Sequence, residues 1–530
     1  MTLANLSATV VTDDETLDGR ELGERAARVA TGLGRLGVGR GDCVALLLRN
    51  DTSFLVTTLA AQMLGAYAVP LNWHFKRDEL LDVISDCSPK VLVSHADLLE
   101  QLDGYLPVAL PVIVVPVPTG LRRAFRIAEA PIPGGRTLWP DWIAGLAPYS
   151  GVPAPVTDSV IYTSGTTGRP KGVRRQPATA EEASAGEKMR AAVFGIGGGD
   201  RVLVSAPLYH TAPNYFSLRA ARLAERLVLL PRFDPEAFLA AIERHRITHV
   251  YAVPTMFVRL LELPAKARNG YDLSSLRFVL HAGGPCAPAV KRGMIEWLGP
   301  VINEYYGSTE HGPLTFCSSA EWLAHPGTVG RAAPGVRLTI QDEAGRILPE
   351  GEVGEIVARN TAHPDFTYHS REPERAELQR GDLILTGDMG YLDADGFLHL
   401  CDRKRDVVIS GGVNIYPAEI EGALAEHPDI ADAAVFGVPD PVFGEGLVAI
   451  IQPRSGREPD AAAIRRFLAG RLASYKVPAA IEFSASLPRE ESGKIRKRLL
   501  RDAHLRNAAA LSPAGPGAGH GTSSSPGTAR

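Results

Sequence analysis

The sequence predicts an α/β protein: sheets flanked by helices, followed by a smaller α+β unit. Three observations carry this. The chain has 530 residues, more than a single hydrophobic core usually serves. Short apolar runs alternate with helix-period segments through most of its length, the rhythm of crossovers between strands of one sheet. Near residue 400 the pattern changes to short strands joined by Asp/Gly turns.

Taken in order, Leu22, Ala26, Val29, Leu33 and Leu36 step by four and three and predict an amphipathic helix. "DCVALLL" follows as a buried strand. Thr52 to Phe75 lacks charge but contains Thr57, Thr58, Gln62, Gly65 and Pro70. It reads as a buried helix ending near Gly65, then a strand "AYAVPL"; these breakers leave too short an apolar run for a membrane span. "RVLVSAP" and "RLVLL" are strands. "FDPEAFLAAIERHRI" is a helix capped by Asp234 with Pro235 in its first turn. "HVYAV" and "LRFVLHAGG" are strands again. Beyond residue 400, "YPAEIEGALAEH" and "DAAAIRRFLAGRLA" read as helices, and "DAAVFGV", "LVAIIQP" and "AAIEFS" as strands. The final stretch is rich in Ala, Gly, Pro and Ser and is expected to be disordered.

Composition narrows the function. The net charge is -4, so nothing argues for nucleic acid or an anionic membrane as partner. The N-terminus has no basic start and no apolar core of signal-peptide type. Cys43, Cys87, Cys286, Cys317 and Cys401 are scattered and form no CxxC pair. They read as reduced thiols of a cytoplasmic protein rather than a zinc site or a disulfide framework.

The stretch "YTSGTTGRPKG", Tyr162 to Gly172, resembles a phosphate-binding loop. Lys171 is spaced from Gly165 as in the Walker pattern, but Pro170 precedes it and Gly172 follows it where that pattern has glycine and a magnesium-binding hydroxyl. A P-loop NTPase is therefore disfavoured, while the physics still points to phosphate. Gly165, Gly168 and Gly172 let backbone N–H groups turn toward an anion. Thr163, Ser164, Thr166 and Thr167 offer hydroxyls, and Lys171 a point charge.

Five further stretches accompany this loop: "PLYHTAPN", "EYYGSTE", "TGDMGYLDADGF", "DRKRDVVISGGVNIYPAEIE" and "LPREESGKIRKRLLR". Together, and in this order, they resemble the motifs of the adenylate-forming enzymes: acyl-CoA synthetases, peptide-synthetase adenylation domains and luciferases. The resemblance runs from about Leu17 to Arg501 and looks most like bacterial acyl-CoA ligases of the fatty-acid and bile-acid type. It implies a large N-terminal domain of stacked β-sheets flanked by helices (1–404), a small mobile α+β C-terminal domain (405–505) and a disordered tail (506–530). It also implies ATP and Mg²⁺ as cofactors, CoA as co-substrate, and a small carboxylic acid that is first adenylated and then passed to the thiol.

The resemblance assigns roles by position. Thr163, Ser164, Gly165, Thr166, Thr167, Gly168 and Lys171 would hold the β- and γ-phosphates, and Thr309 the α-phosphate. Glu310, with the Thr163 hydroxyl, would carry Mg²⁺; one carboxylate plus substrate phosphates suits that ion. Tyr306 would stack on adenine, with Gly283 and Gly284 on its other side and Glu304, Tyr305 and Gly307 adjoining. Asp388 would accept from the ribose hydroxyls near Arg403. Lys494, after Gly493, would bridge the acyl carboxylate and the α-phosphate, whereas Arg496, Lys497 and Arg498 read as a solvated basic face. The hinge falls on Arg405, and Ser410, Gly411 and Gly412 would face the pantetheine arm of CoA.

The substrate is less legible. His210, Asn214, Tyr215, Gly283 and His311 are candidates for the acyl pocket, although His210 taken alone also reads as a core histidine. Small residues at 283, 284 and 307 would leave room for a bulky or long acyl group, while Tyr215, Tyr305 and His311 suit an aromatic acid equally well. No acidic anchor for an amino acid's ammonium is seen. Two alternatives stay open: an adenylate-forming enzyme that does not use CoA, such as an ATP-dependent diazotase activating nitrite for an aryl amine, or a non-catalytic relative.

Overall fold

The computed structural model describes residues 6–128, 135–163, 170–369, 371–411, 413–489 and 495–511. The chain divides after Arg405 into two compact units.

The first unit is organised by two parallel sheets. One has five strands, in the order Tyr67–Pro70, Cys43–Leu47, Val91–His95, Val112–Val115 and Thr137–Leu138. The other has seven, in the order Ile302–Glu304, Phe278–His281, His249–Ala252, Arg201–Val204, Arg226–Leu229, Thr9–Val11 and Thr16–Leu17. Only the last pair of the seven runs antiparallel. Parallel strands need crossovers, and helices cover both faces of such sheets, so their strands are apolar on both sides. Cys43–Leu47 shows this: Val44 and Leu46 enter one core, Cys43, Ala45 and Leu47 another.

The helix Gly19–Arg35 buries Leu22, Ala26, Val29 and Leu33 completely, as its spacing predicts. Thr52–Met63 is a helix buried at every position, N-capped by Asp51. Its polar side chains are satisfied within the core. Thr57 and Thr58 donate to the carbonyls of Ser53 and Phe54, and Gln62 donates to Thr157 O and accepts from Arg222. That satisfaction is what permits hydroxyl and amide groups at full burial. Among the described residues, no helix is long and apolar enough to cross a membrane.

Two antiparallel sheets, besides two short two-stranded pairs, belong to the same unit. In one, Ile161–Thr163, Lys171–Arg175 and Phe366–Tyr368 lie side by side. In the other, Leu383–Leu392 pairs with Gly354–Asn360 and with Leu398–Arg403.

The second unit has a five-stranded sheet built around the hairpin of Ile430–Asp440 with Gly444–Pro453. The helices Pro417–Ala425 and Ala461–Ala469 bury Ile420, Leu424, Ile464 and Leu468 in its core. Two expectations are corrected here. The chain from Lys497 to Leu511 is helical, so a tail beginning at 506 starts too early; Ala508, Ala509 and Ala510 are strong helix formers that extend the preceding turns. Lys497 is not part of a solvated face, because its Nζ pairs with Glu421 at 2.8 Å and it is about four-fifths buried. Residues 512–530 lie outside the described residues.

Candidate active site

The loop that opens the phosphate site is anchored by register. Thr163 ends one strand, Lys171 begins the next, and the two are direct antiparallel partners. Residues 164–169, which include Ser164, Gly165, Thr166, Thr167 and Gly168, lie outside the described residues, as do Gly412 and Lys494. Lys171 sits on the Tyr368 ring, its Nζ 5.1 Å from the centroid, and pairs with the carboxylate of Glu374. A lysine held by a carboxylate and an aromatic face is positioned as well as charged.

Thr309 and Glu310 face the same region. The Thr309 hydroxyl lies 2.6 Å from that of Thr211, the first residue of the helix Thr211–Leu223. Glu310 Oε1 accepts from the Tyr368 hydroxyl at 3.2 Å and from Thr163 Oγ1 at 3.5 Å. These are hard oxygen donors converging on one carboxylate, the donor chemistry magnesium takes alongside phosphate oxygens. Among the described residues no cluster of three or more His, Cys, Asp or Glu could hold a metal without such added ligands.

A second cluster is organised around Asp388. Its Oδ2 accepts from Tyr306 Oη at 2.6 Å, and its Oδ1 lies 3.5 Å from Arg403 Nε. Its backbone N–H donates to Thr386 Oγ1 at 3.1 Å. Asp388 and Arg403 are cross-strand partners in one hairpin, so the pairing follows from register. Gly283 adopts φ +87, and a Cβ there would lie within 3.8 Å of Tyr251 and Val253; one at Gly284 would meet nothing within 4 Å.

Several expected residues turn out to have different jobs. The Glu304 carboxylate turns into the core, 2.5 Å from Nζ of the fully buried Lys291, so it does not point at a nucleotide. Gly307 is small for a backbone reason: a Cβ there would collide with the carbonyl of Gly312 across a tight antiparallel pair. Asn214 is buried with both ends of its amide engaged, donating to Leu208 O at 3.0 Å and accepting from Ser159 Oγ at 3.1 Å. With Asn50, which donates to Ala206 O and accepts from Leu208 N, it braces the turn that presents His210. That ring lies 4.5 Å from Tyr209, and burial, with His74 nearby, pushes its pKa down to about 4. Tyr215 packs edge-on against His363, centroids 6.1 Å apart. His311 is buried, bonded through Nδ1 to Ser308 Oγ at 3.0 Å, and burial lowers it to about 4.

Sequence reasoning passed over Tyr368, Glu374, Arg175 and Thr211. For Arg175 a signal existed: in a strand, residues 171, 173 and 175 share a face, so it lies on the side of Lys171. Tyr368 and Glu374 arrive from a segment more than fifty residues beyond Glu310, which no local pattern connects to it.

In the second unit, Ser410 ends the strand Val408–Ser410, and Gly411 adopts φ +57 and donates to Phe443 O at 2.8 Å. Arg405 lies in the short 3-10 turn Lys404–Asp406, where Lys404 bonds Glu355 at 2.8 Å.

His363, lining a narrow cleft with Arg175, Glu310 and His311, supplies a pH test. Burial, with Arg175 and Arg190 adding, pushes its pKa down to about 3, below the ordinary value near 6.5. The unfolded chain therefore takes up the proton first, and stability is lost as pH falls from 6.5 toward 3. Between pH 7 and pH 5 the loss is about 2 kcal/mol for this group. Urea unfolding of the protein and of His363→Gln across that range should show a smaller acid loss in the variant; equal losses would contradict the assignment.

Comparisons with known proteins identify the family of the chain. Residues 4–363 match the family model of AMP-binding enzymes, and residues 419–494 that of the AMP-binding enzyme C-terminal domain. The chain belongs to this family, the adenylate-forming acyl-CoA synthetases. It is an AMP-forming acid–thiol ligase, and its small-molecule requirements are ATP, Mg²⁺ and CoA. Among curated relatives, an indoleacetate–CoA ligase of Aromatoleum aromaticum is 35% identical over 89% of this chain and 90% of its own length. Among solved structures, the anthranilate CoA ligase AuaEII in complex with anthranoyl-AMP superposes with TM-score 0.84, at 27% identity, covering 96% of both chains. The amide bond synthetase McbA from Marinactinospora thermotolerans superposes with TM-score 0.81, at 30% identity, covering 94% of this chain and 98% of its own.

Proposed function

We propose that this ligase activates an aromatic or arylalkanoic acid and transfers the acyl group to CoA. The observation that carries the reading is the aromatic character of the acyl-pocket candidates His210, Tyr215 and Tyr305, each of which packs against another ring. The similarity to proteins named for indoleacetate and anthranilate supports it.

In this reading the loop from Thr163 to Lys171 holds the β- and γ-phosphates, and the Thr309 hydroxyl meets the α-phosphate. Glu310 and Thr163 hold Mg²⁺, which supplies charge neutralisation along the triphosphate. Tyr306 stacks on adenine against Gly283 and Gly284, and Asp388 with Arg403 takes the ribose hydroxyls. Lys494 brings its ammonium between the substrate carboxylate and the α-phosphate. The C-terminal unit, residues 405–505, then turns about Arg405, so that Ser410, Gly411 and Gly412 line the approach of the thiol. A cytoplasmic setting accords with the scattered cysteine thiols, none of them joined in a disulfide among the described residues.

A second reading, adenylation with an amine rather than CoA as acceptor, draws on the similarity to McbA. One screen separates the two. Pyrophosphate release is measured over indole-3-acetate, ferulate, anthranilate and straight-chain fatty acids, with and without CoA, and with nitrite plus an aminobenzoate. The expected result is CoA-dependent turnover, with kcat/KM for an aromatic acid at least about 10-fold above any straight-chain acid. A straight-chain preference, or turnover indifferent to CoA, contradicts the proposal.

A further inference from the structure

Arg175 is buried, with 7% of its surface exposed, and lies at the end of the strand that begins at Lys171. Its Nη2 donates to two consecutive carbonyls, that of Thr309 at 3.0 Å and that of Glu310. Its own carbonyl accepts from the Tyr67 hydroxyl at 2.9 Å. Its backbone is in register with Phe366, over whose ring the guanidinium stands at 5.9 Å. The arginine is thus fixed at its base, along its stem and at its head.

A buried guanidinium is costly unless its donors are used. Among the described residues Arg175 forms no ion pair and its Nε has no hydrogen-bond partner; what compensates its charge is the pair of carbonyl dipoles at Nη2. Two acceptors on one nitrogen tie together the planes of two successive peptides, Thr309–Glu310 and Glu310–His311. A narrow cleft lined by Arg175, Glu310, His311 and His363 adjoins these peptides, and without Arg175 both carbonyls would lose this donor. The Thr309 hydroxyl and the Glu310 carboxylate leave this backbone on the side of Thr211, Thr163 and Tyr368. Rotation of these peptides would displace both.

We propose that Arg175 is a positioning residue for adenylation: by clamping the Thr309 and Glu310 carbonyls it aims the Glu310 carboxylate at the phosphate-bound metal and the Thr309 hydroxyl at the α-phosphate. This rests on the adenylation reading above. Orienting partners of metal ligands typically carry a 10–100-fold share of metal affinity.

The test compares wild type, Arg175→Gln and Arg175→Lys. Acid-dependent ATP–pyrophosphate exchange is titrated with Mg²⁺, and ATP binding is measured calorimetrically with and without Mg²⁺. The expected result is a rise of about 10-fold or more in the Mg²⁺ needed for half-maximal exchange in Arg175→Gln. The KM for the acid should stay within about twofold, and Mg²⁺ should tighten ATP binding far less than in wild type. Arg175→Lys, which keeps the charge but not the fork, should fall between. A fall in melting temperature and in all rates together, with the Mg²⁺ dependence unchanged, overturns the proposal. If Arg175→Gln does not fold, the same ratio read in Arg175→Lys decides. Wild-type exchange that ignores Mg²⁺ would instead overturn the adenylation reading itself.

Discussion

Lys494→Ala is expected to abolish acid-dependent ATP–pyrophosphate exchange, a loss of at least about 100-fold, yet still to form thioester from a preformed acyl adenylate. The reason is electrostatic. An anionic carboxylate must approach an anionic α-phosphate, and the pentacoordinate transition state concentrates more charge between them than either partner carries at rest. A preorganised cation there stabilises the transition state more than the ground state, and removal of a single such group commonly costs 10²–10³ in rate. Once the adenylate exists, thiol attack at a carbonyl no longer needs that bridge. Lys494 is also the last residue matched by the C-terminal family model. Normal exchange in the variant would refute the role, and parallel loss of both half-reactions would recast Lys494 as structural.

Glu310→Gln carries the second large effect. The substitution keeps an oxygen for the Tyr368 and Thr163 hydroxyls. It leaves the Arg175 clamp, which is made to backbone, untouched. What it removes is the charge. Exchange should fall by roughly 10²–10³, as for loss of a transition-state charge stabiliser, and saturating Mg²⁺ should not restore it. The melting temperature should stay near that of wild type, because no packed group is deleted. Full recovery at high Mg²⁺ would show that the carboxylate contributes metal affinity alone.

Much of the fold could be read from local pattern, because local physics decides it. A period of 3.6 placed Leu22, Ala26, Val29 and Leu33 on one buried stripe. Asp234 and Pro235 marked a helix start, and the Asp234 carboxylate does accept from Ala237 N. The buried helix Thr52–Met63 was legible through its breakers despite polar residues that satisfy themselves inside the core. The site was legible where motifs are contiguous, as in Tyr306 to Glu310. It was illegible where the geometry depends on distant segments meeting. Tyr368 and Glu374 reach Glu310 and Lys171 only because Phe366–Tyr368 pairs with Lys171–Arg175. Glu304 belongs to the core because a helix delivers Lys291 beneath it. Gly307 is constrained by the Gly312 carbonyl rather than by an acyl group. For Glu304 and Gly307 the motif suggested a place beside a ligand, and the tertiary neighbour gives the residue a structural reason instead.

The central claim, activation through an acyl adenylate, is tested most directly by isotope transfer. The best acid of the screen is labelled with ¹⁸O in its carboxylate and turned over with ATP and CoA, and the products are analysed by mass spectrometry. Attack of the carboxylate on the α-phosphate forms an acyl–O–phosphorus bond, and the thiol then cleaves the acyl–oxygen bond. The account therefore predicts one ¹⁸O in AMP, unlabelled pyrophosphate and acyl-CoA with one ¹⁸O. Release of ADP with the label in orthophosphate, or AMP free of label, would contradict it.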